Sequence, residues 1–142
     1  MRRRGLTVVE ISYVLAVIAI VSAITIPTYD VLVRRAKADE ARSMLAAIHH
    51  AELTHWRDHG AWLGCPASGP VPRGASASLP ADECWGQLLG ESTEGLRYRY
   101  SVQVEGDECT IIAEGDLDAD GRTSEFRLDA RTQRLTTKDE LE

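Results

Sequence analysis

Phenylalanine occurs once in this chain of 142 residues, methionine twice, and aromatic residues make up only 6% of it. Much of the remaining apolar content lies in one N-terminal run. The folded part is therefore expected to have a modest core that leans on a helix and on neighbouring molecules. Positive charge is also scarce: 16 Lys and Arg face 22 Asp and Glu, a net charge of −6. A surface of that sign does not neutralise phosphates, so no nucleic-acid partner is expected. The local patterns that carry catalysis are missing too. There is no glycine-rich phosphate loop, Gly-x-Ser-x-Gly, Cys-x-x-Cys or His-Glu-x-x-His, and there are no internal repeats. Each of those patterns places groups that a reaction needs, and without them no enzymatic activity is expected.

Cysteine is sparse and odd in number: Cys65, Cys84 and Cys109. Outside the cytoplasm that arithmetic gives one disulfide and one thiol. Spacing alone leaves the connectivity open. Cys65–Cys84 is the expected pair, because Cys109 falls on the inward set of a strand, where a lone thiol behaves as a small apolar residue.

What the sequence does have is a long apolar run. Residues 11–29 carry no formal charge and are dominated by Val, Ile, Leu and Ala. That is about the length a helix needs to cross a bilayer. Arg2, Arg3 and Arg4 precede it, which sets the N-terminus on the cytoplasmic side. Glu10 stands just inside the apolar segment, where an ionisable group is costly and should have a specific partner. A secretory signal cleaved after Val21-Ser22-Ala23 is one reading, although the apolar run continues to Val33. A plain single-pass anchor is another, and it leaves Glu10 unexplained.

Gly5-Leu6-Thr7-Val8-Val9-Glu10 resembles the processing site of type IV prepilins and of type II secretion pseudopilins. The resemblance rests on the order of basic leader, Gly, Glu, apolar run and Pro27. It implies cleavage between Gly5 and Leu6 by a prepilin peptidase, and methylation of the new amine on Leu6. It also implies a helix kink at Pro27, and assembly through Glu10 into a filament of pilin subunits by inner-membrane machinery. Leu6 stands where the family usually has Phe. Loss of the leader's three arginines would take the net charge from −6 to −9.

After the apolar run the sequence stays helical but becomes one-sided. Ala41, Leu45 with Met44, Ile48 and Ala51 with Glu52 recur every three or four residues. Gly60 is a natural stop after His59. A helix over residues 6–59 would be roughly 80 Å long at 1.5 Å per residue. Residues 60–95 read as loop, with Trp62, Trp85, Leu88 and Leu89 as anchors. From Leu96 the period is two. Tyr98, Tyr100, Val102 and Val104 form one inward set, followed by Cys109, Ile111 and Ala113, then Phe126 and Leu128, with Leu135 in a fourth strand. The expected fold is α+β: a helix half in the membrane, its amphipathic half packed on an antiparallel β-meander, as the pilin resemblance also implies. Its parts are a leader (residues 1–5), an apolar helix (6–33) and an extracytoplasmic domain (34–142) with its meander at 96–137.

Two clusters are candidate ion sites. Asp116-Leu117-Asp118-Ala119-Asp120-Gly121 repeats the opening of a calcium loop, with carboxylates at alternate positions and Gly at the turn. The backbone carbonyl of Arg122 and either Glu125 or Asp129 would complete it, since the position expected to supply a bidentate acid is Arg127. The alternative is a solvated hairpin loop with an Asp-Gly turn. His49, His50, His55 and His59 are the second cluster. Glu52, His55 and His59 share a helical spacing that could hold a transition metal, though histidines on the polar side of a surface helix explain them as well. The expected function is a structural subunit of a type IV pilus, serving motility or adhesion. The alternatives are a pseudopilin for protein secretion and, further off, a membrane-anchored ion-binding domain. The expected location is the bacterial inner membrane, then a periplasmic or extracellular filament.

Overall fold

The computed structural model describes residues 7–80, 83–90 and 93–139. The chain divides into two compact units, Met1–Val33 and Arg34–Glu142. One helix, α1 (Val8–His59), passes from the first into the second.

In the first unit the apolar side chains from Val8 to Leu32 are solvent-exposed. Its best membrane-length window has a mean hydropathy of 2.3 and buries none of its residues, so the helix can cross a bilayer by length and composition. Three of its hydroxyls are satisfied within the helix, as hydrocarbon requires. The hydroxyls of Ser12, Thr25 and Thr28 donate to the carbonyls of Val8, Val21 and Ile24 at 2.9, 2.8 and 2.9 Å. The helix continues through position 27 without a break. One missing donor in an otherwise continuous ladder does not melt it.

In the second unit α1 becomes one-sided. Ala38, Ala41, Leu45, Ile48 and Glu52 are buried, a stripe at alternating spacings of three and four. Gly60 ends the helix in the left-handed conformation (φ 72°), its N–H bonded to the Trp56 carbonyl at 2.8 Å.

Residues 60–95 are more ordered than a loop, which corrects the sequence reading. Residues 64–68 run beside the sheet: Cys65 and Val102 exchange backbone bonds of 3.0 and 2.8 Å, and the Ser68 N–H reaches the Tyr100 carbonyl at 3.0 Å. Then come β1 (Ala77–Leu79), helix α2 (Glu83–Leu89) and β2 (Thr93–Leu96), with β1 and β2 paired antiparallel. A seven-residue helix is not stable alone. Trp85 and Leu88, both buried, hold α2 onto the core, while Trp62 and Leu89 pack partly against it. Cys65 is bonded to Cys84 across this segment, with Cα atoms 5.6 Å apart. Cys109 is a free, buried thiol, and burial pushes its pKa up to about 12.

The main sheet is an antiparallel meander in chain order: β3 (Arg99–Glu105), β4 (Glu108–Gly115), β5 (Ser124–Asp129) and β6 (Leu135–Lys138). Its inner face carries Tyr100, Val102, Cys109, Ile111, Ala113 and Phe126. The register aligns Tyr100, Ala113 and Phe126 across three strands. The first strand begins later than the alternation implies, because the chain bends at Arg97 and Tyr98. There Glu40 on α1 accepts the Arg97 N–H at 2.7 Å. A Cβ on Gly115 would lie 2.8 Å from the Arg97 carbonyl and 2.9 Å from the Tyr98 ring, so only glycine lets β4 pass the bend this closely.

Glu52 is the acidic member of the stripe, and it is fully buried. Its Oε2 accepts the Leu63 N–H at 3.0 Å, pinning the turn after α1 onto the helix, while its buried Oε1 has no hydrogen-bond partner. Burial raises the carboxyl's pKa; the Leu63 bond and His55 pull it the other way. A raised carboxyl pKa means that the protonated form favours the fold. That stabilisation is present at low pH and is lost as pH rises through the raised value. Glu52→Gln, which keeps an acceptor and removes the charge, should therefore melt higher than wild type at neutral pH by about 1 kcal/mol. The gain should shrink on acidification toward the ordinary carboxyl range. Parallel melting curves at every pH would show that the buried charge costs nothing.

Candidate functional sites

The N-terminal site starts at Thr7. The Thr7 N–H and Oγ1 both donate to Glu10 Oε2, at 2.7 and 2.8 Å, and the Glu10 N–H returns a bond to Thr7 Oγ1 at 3.3 Å. This reciprocal pattern is a capping box, which satisfies the orphan donors of a helix start. The sequence carries the signal for it, Thr-x-x-Glu, in Thr7-Val8-Val9-Glu10. Glu10 thus has a partner within its own chain, at the helix end where the macrodipole favours an acid. The expected cleavage position between Gly5 and Leu6 lies outside the described residues.

The acidic loop between β4 and β5 is built from two directions. Asp116 is buried at the end of β4, its backbone bonded to Pro72 and Gly74 at 3.0 and 2.8 Å. Its Oδ2 accepts the Gly121 N–H at 3.1 Å, which closes the turn, and its buried Oδ1 has no hydrogen-bond partner. Asp118 and Asp120 are exposed and cap the backbone of Asp120 and Arg122 at 3.4 and 2.8 Å. One carboxylate oxygen from each of Asp116, Asp118 and Asp120 lies within 4.8 Å of the others. Helix α1 brings cations to the same loop. Arg34 Nη2 is 3.1 Å from Asp118 Oδ2, and Lys37 Nζ donates to the Leu117 carbonyl at 2.9 Å.

The other expected ligands do not join this group. Glu125 pairs with Arg127, and Asp129 accepts the N–H groups of Arg131 and Thr132 at 2.8 and 2.9 Å to shape the β5–β6 turn. Those bonds hold the Asp129 carboxyl below its ordinary pKa. The histidines do not converge on an ion either. His49 bonds the Ala130 carbonyl at 2.8 Å, His55 the Ala61 carbonyl at 2.9 Å, and His59 the His55 carbonyl at 3.2 Å. Their neighbour Glu52 is committed to Leu63. Among the described residues, the acids that gather at metal-binding distance are the three aspartates.

A long N-terminal helix, apolar and exposed over its first half, whose second half lies in the core of an antiparallel meander domain, is the α+β architecture that the resemblance to prepilins implies. The chain is also 39% identical over 117 residues to the "Type IV major pilin protein PilA" of Myxococcus xanthus, a match that takes in 82% of this chain. It spans 44% of that relative's own length. No protein-family description matches the chain, and no solved structure does.

Proposed function

We propose that this chain is a structural subunit of a type IV pilus and not an enzyme. The observation that carries the proposal is the first half of α1, whose apolar side chains are exposed in the isolated chain. Such a surface needs hydrocarbon or other helices around it. A bilayer supplies the first before assembly, and the helices of neighbouring subunits supply the second in a filament. The Myxococcus relative, named a major pilin, favours a pilus over a secretion pseudopilus. On this reading the leader is cut between Gly5 and Leu6 by the prepilin peptidase, and the subunit waits in the inner membrane until the assembly machinery extracts it. Intact mass of the chain from sheared filaments tests the proposal: the mature protein should begin at Leu6 and carry one methyl group. A chain beginning after Ala23, or retaining Met1, would overturn it.

We further propose that the β4–β5 loop takes a divalent cation, with calcium the best fit. Asp116 Oδ1 supports this, because an unpartnered buried carboxylate oxygen beside two further carboxylates suits a hard cation. Asp116, Asp118 and Asp120 would supply oxygens and Arg122 its carbonyl. A ligand that binds only the folded state stabilises it by mass action. With calcium at a hundredfold excess over its dissociation constant, the domain should gain about 2.7 kcal/mol over chelator. Asp118→Ala should erase that difference. Identical melting curves in calcium and in chelator would dispose of the site.

A further inference from the structure

The chain has three tryptophans, and two of them, Trp56 and Trp62, line a surface cleft, Trp62 also packing partly against the core. Trp56, on the last turn of α1, is 44% exposed, and its ring stacks on Trp62 with centroids 5.8 Å apart and planes 26° off parallel. Three bonds hold this platform. The Trp62 indole N–H donates to the Asp107 carbonyl at 3.3 Å, Glu52 fixes the neighbouring Leu63, and Arg131 joins the Asp107 carboxylate at 2.7 Å. The last bond links the β3–β4 turn to the β5–β6 turn beside the platform. The cleft encloses about 300 Å³, with Gln133 on its rim.

We propose that this cleft binds a pyranose ring of a neutral glycan. The face of an indole is apolar and electron-rich, and the axial C–H groups of a pyranose form a flat, slightly positive surface of matching size. Sugar hydroxyls donate and accept at once, so they need planar polar neighbours of both kinds. A carboxylate, a guanidinium and an amide stand at the edge of the platform in Asp107, Arg131 and Gln133. Asp107 and Arg131 neutralise each other, which leaves the cleft without net charge. That favours an uncharged ligand over a phosphate or an ammonium ion. The volume lies at the lower end for small-molecule sites and suits one or two sugar rings. The proposal does not depend on the pilus reading.

The test uses the full chain in amine-oxide micelles, since glucoside detergents would compete. Methyl β-glucoside and methyl β-galactoside are titrated while tryptophan emission is followed, with buried Trp85 as an internal reference. One of them should shift the emission with a dissociation constant of about 1 mM, the range a single stacked ring reaches. Trp56→Ala should abolish the shift, and Gln133→Ala and Asp107→Asn should each weaken binding several-fold. Asp107 and Arg131 are surface residues, so Asp107→Asn keeps the test valid should the tryptophan variant not fold. A shift with tetramethylammonium but neither glycoside would reassign the cleft as a cation cage. Glycoside binding unchanged in a folded Trp56→Ala chain would overturn the proposal. So would the absence of a response to either glycoside, and shielding of Trp56 in filaments would then make the cleft a subunit contact.

Discussion

Glu10→Ala is expected to be inserted and cleaved like the wild type and then to be absent from filaments. After removal of Gly5, Leu6 would carry a charged amine beside an apolar helix, and both that amine and the Glu10 carboxylate are costly in hydrocarbon unless paired. In the isolated chain the capping box with Thr7 partly meets this need, through Oε2 alone. We expect the amine of an adjacent subunit to engage the carboxylate on assembly and so to set the axial stagger of each added subunit. Glu10→Asp keeps the charge with a shorter arm and should assemble in part. The capping box supplies a rival explanation, because losing an N-terminal cap costs a helix about 1 kcal/mol by itself. Thr7→Ala separates the two. It removes the hydroxyl of the box and leaves the carboxylate free to pair between subunits, so it should enter filaments at near wild-type levels. The chain is quantified in sheared filaments and in membranes, since other pilins could build filaments without it. Wild-type incorporation of Glu10→Ala would rule out the assembly contact, and equal failure of Thr7→Ala would assign the role to the cap.

The second large effect is expected at the only phenylalanine. Phe126 is fully buried at the centre of the sheet's inner face, edge-on to Tyr98 with ring centroids 5.6 Å apart. The Arg42 guanidinium from α1 sits 5.7 Å from its centroid. Tyr98 in turn meets Ser124 Oγ at 3.0 Å, so the ring supports a buried polar contact as well as the helix–sheet interface. Truncation to alanine removes the ring and leaves a cavity, at a cost of about 3–5 kcal/mol. Against a total stability of about 5–15 kcal/mol, that should lower the domain's melting temperature by at least about 12 °C. Phe126→Leu keeps most of the volume and loses the ring contacts, so it should cost about a third as much. Thermal melts of the full chain decide this. An alanine variant within about 1 kcal/mol of wild type would mean that the core is centred elsewhere.

Much of this architecture was legible from local pattern. The uncharged run after Glu10, the three-and-four spacing from Ala41 to Ile48, the stop at Gly60 and the period of two through the meander each follow from the repeat of one backbone geometry. A repeat of that kind is written in consecutive residues. The Thr7–Glu10 capping box was equally local and could have been read. What the tertiary structure decided lies between residues far apart in the chain. The bend at Arg97 exists because Glu40, 57 positions earlier, takes its N–H. Helix α2 forms because Trp85 finds a buried place, although the residues before it are rich in Gly, Pro and Ser. Spacing sets Glu52 beside the apolar stripe and Asp116 in a loop, but only packing buries each with one oxygen unpartnered. The Trp56–Trp62 platform needs two hairpin turns that meet only once the sheet has closed over α1. Periodicity reports which face of an element is apolar. Which distant group arrives at that face depends on the whole chain being folded.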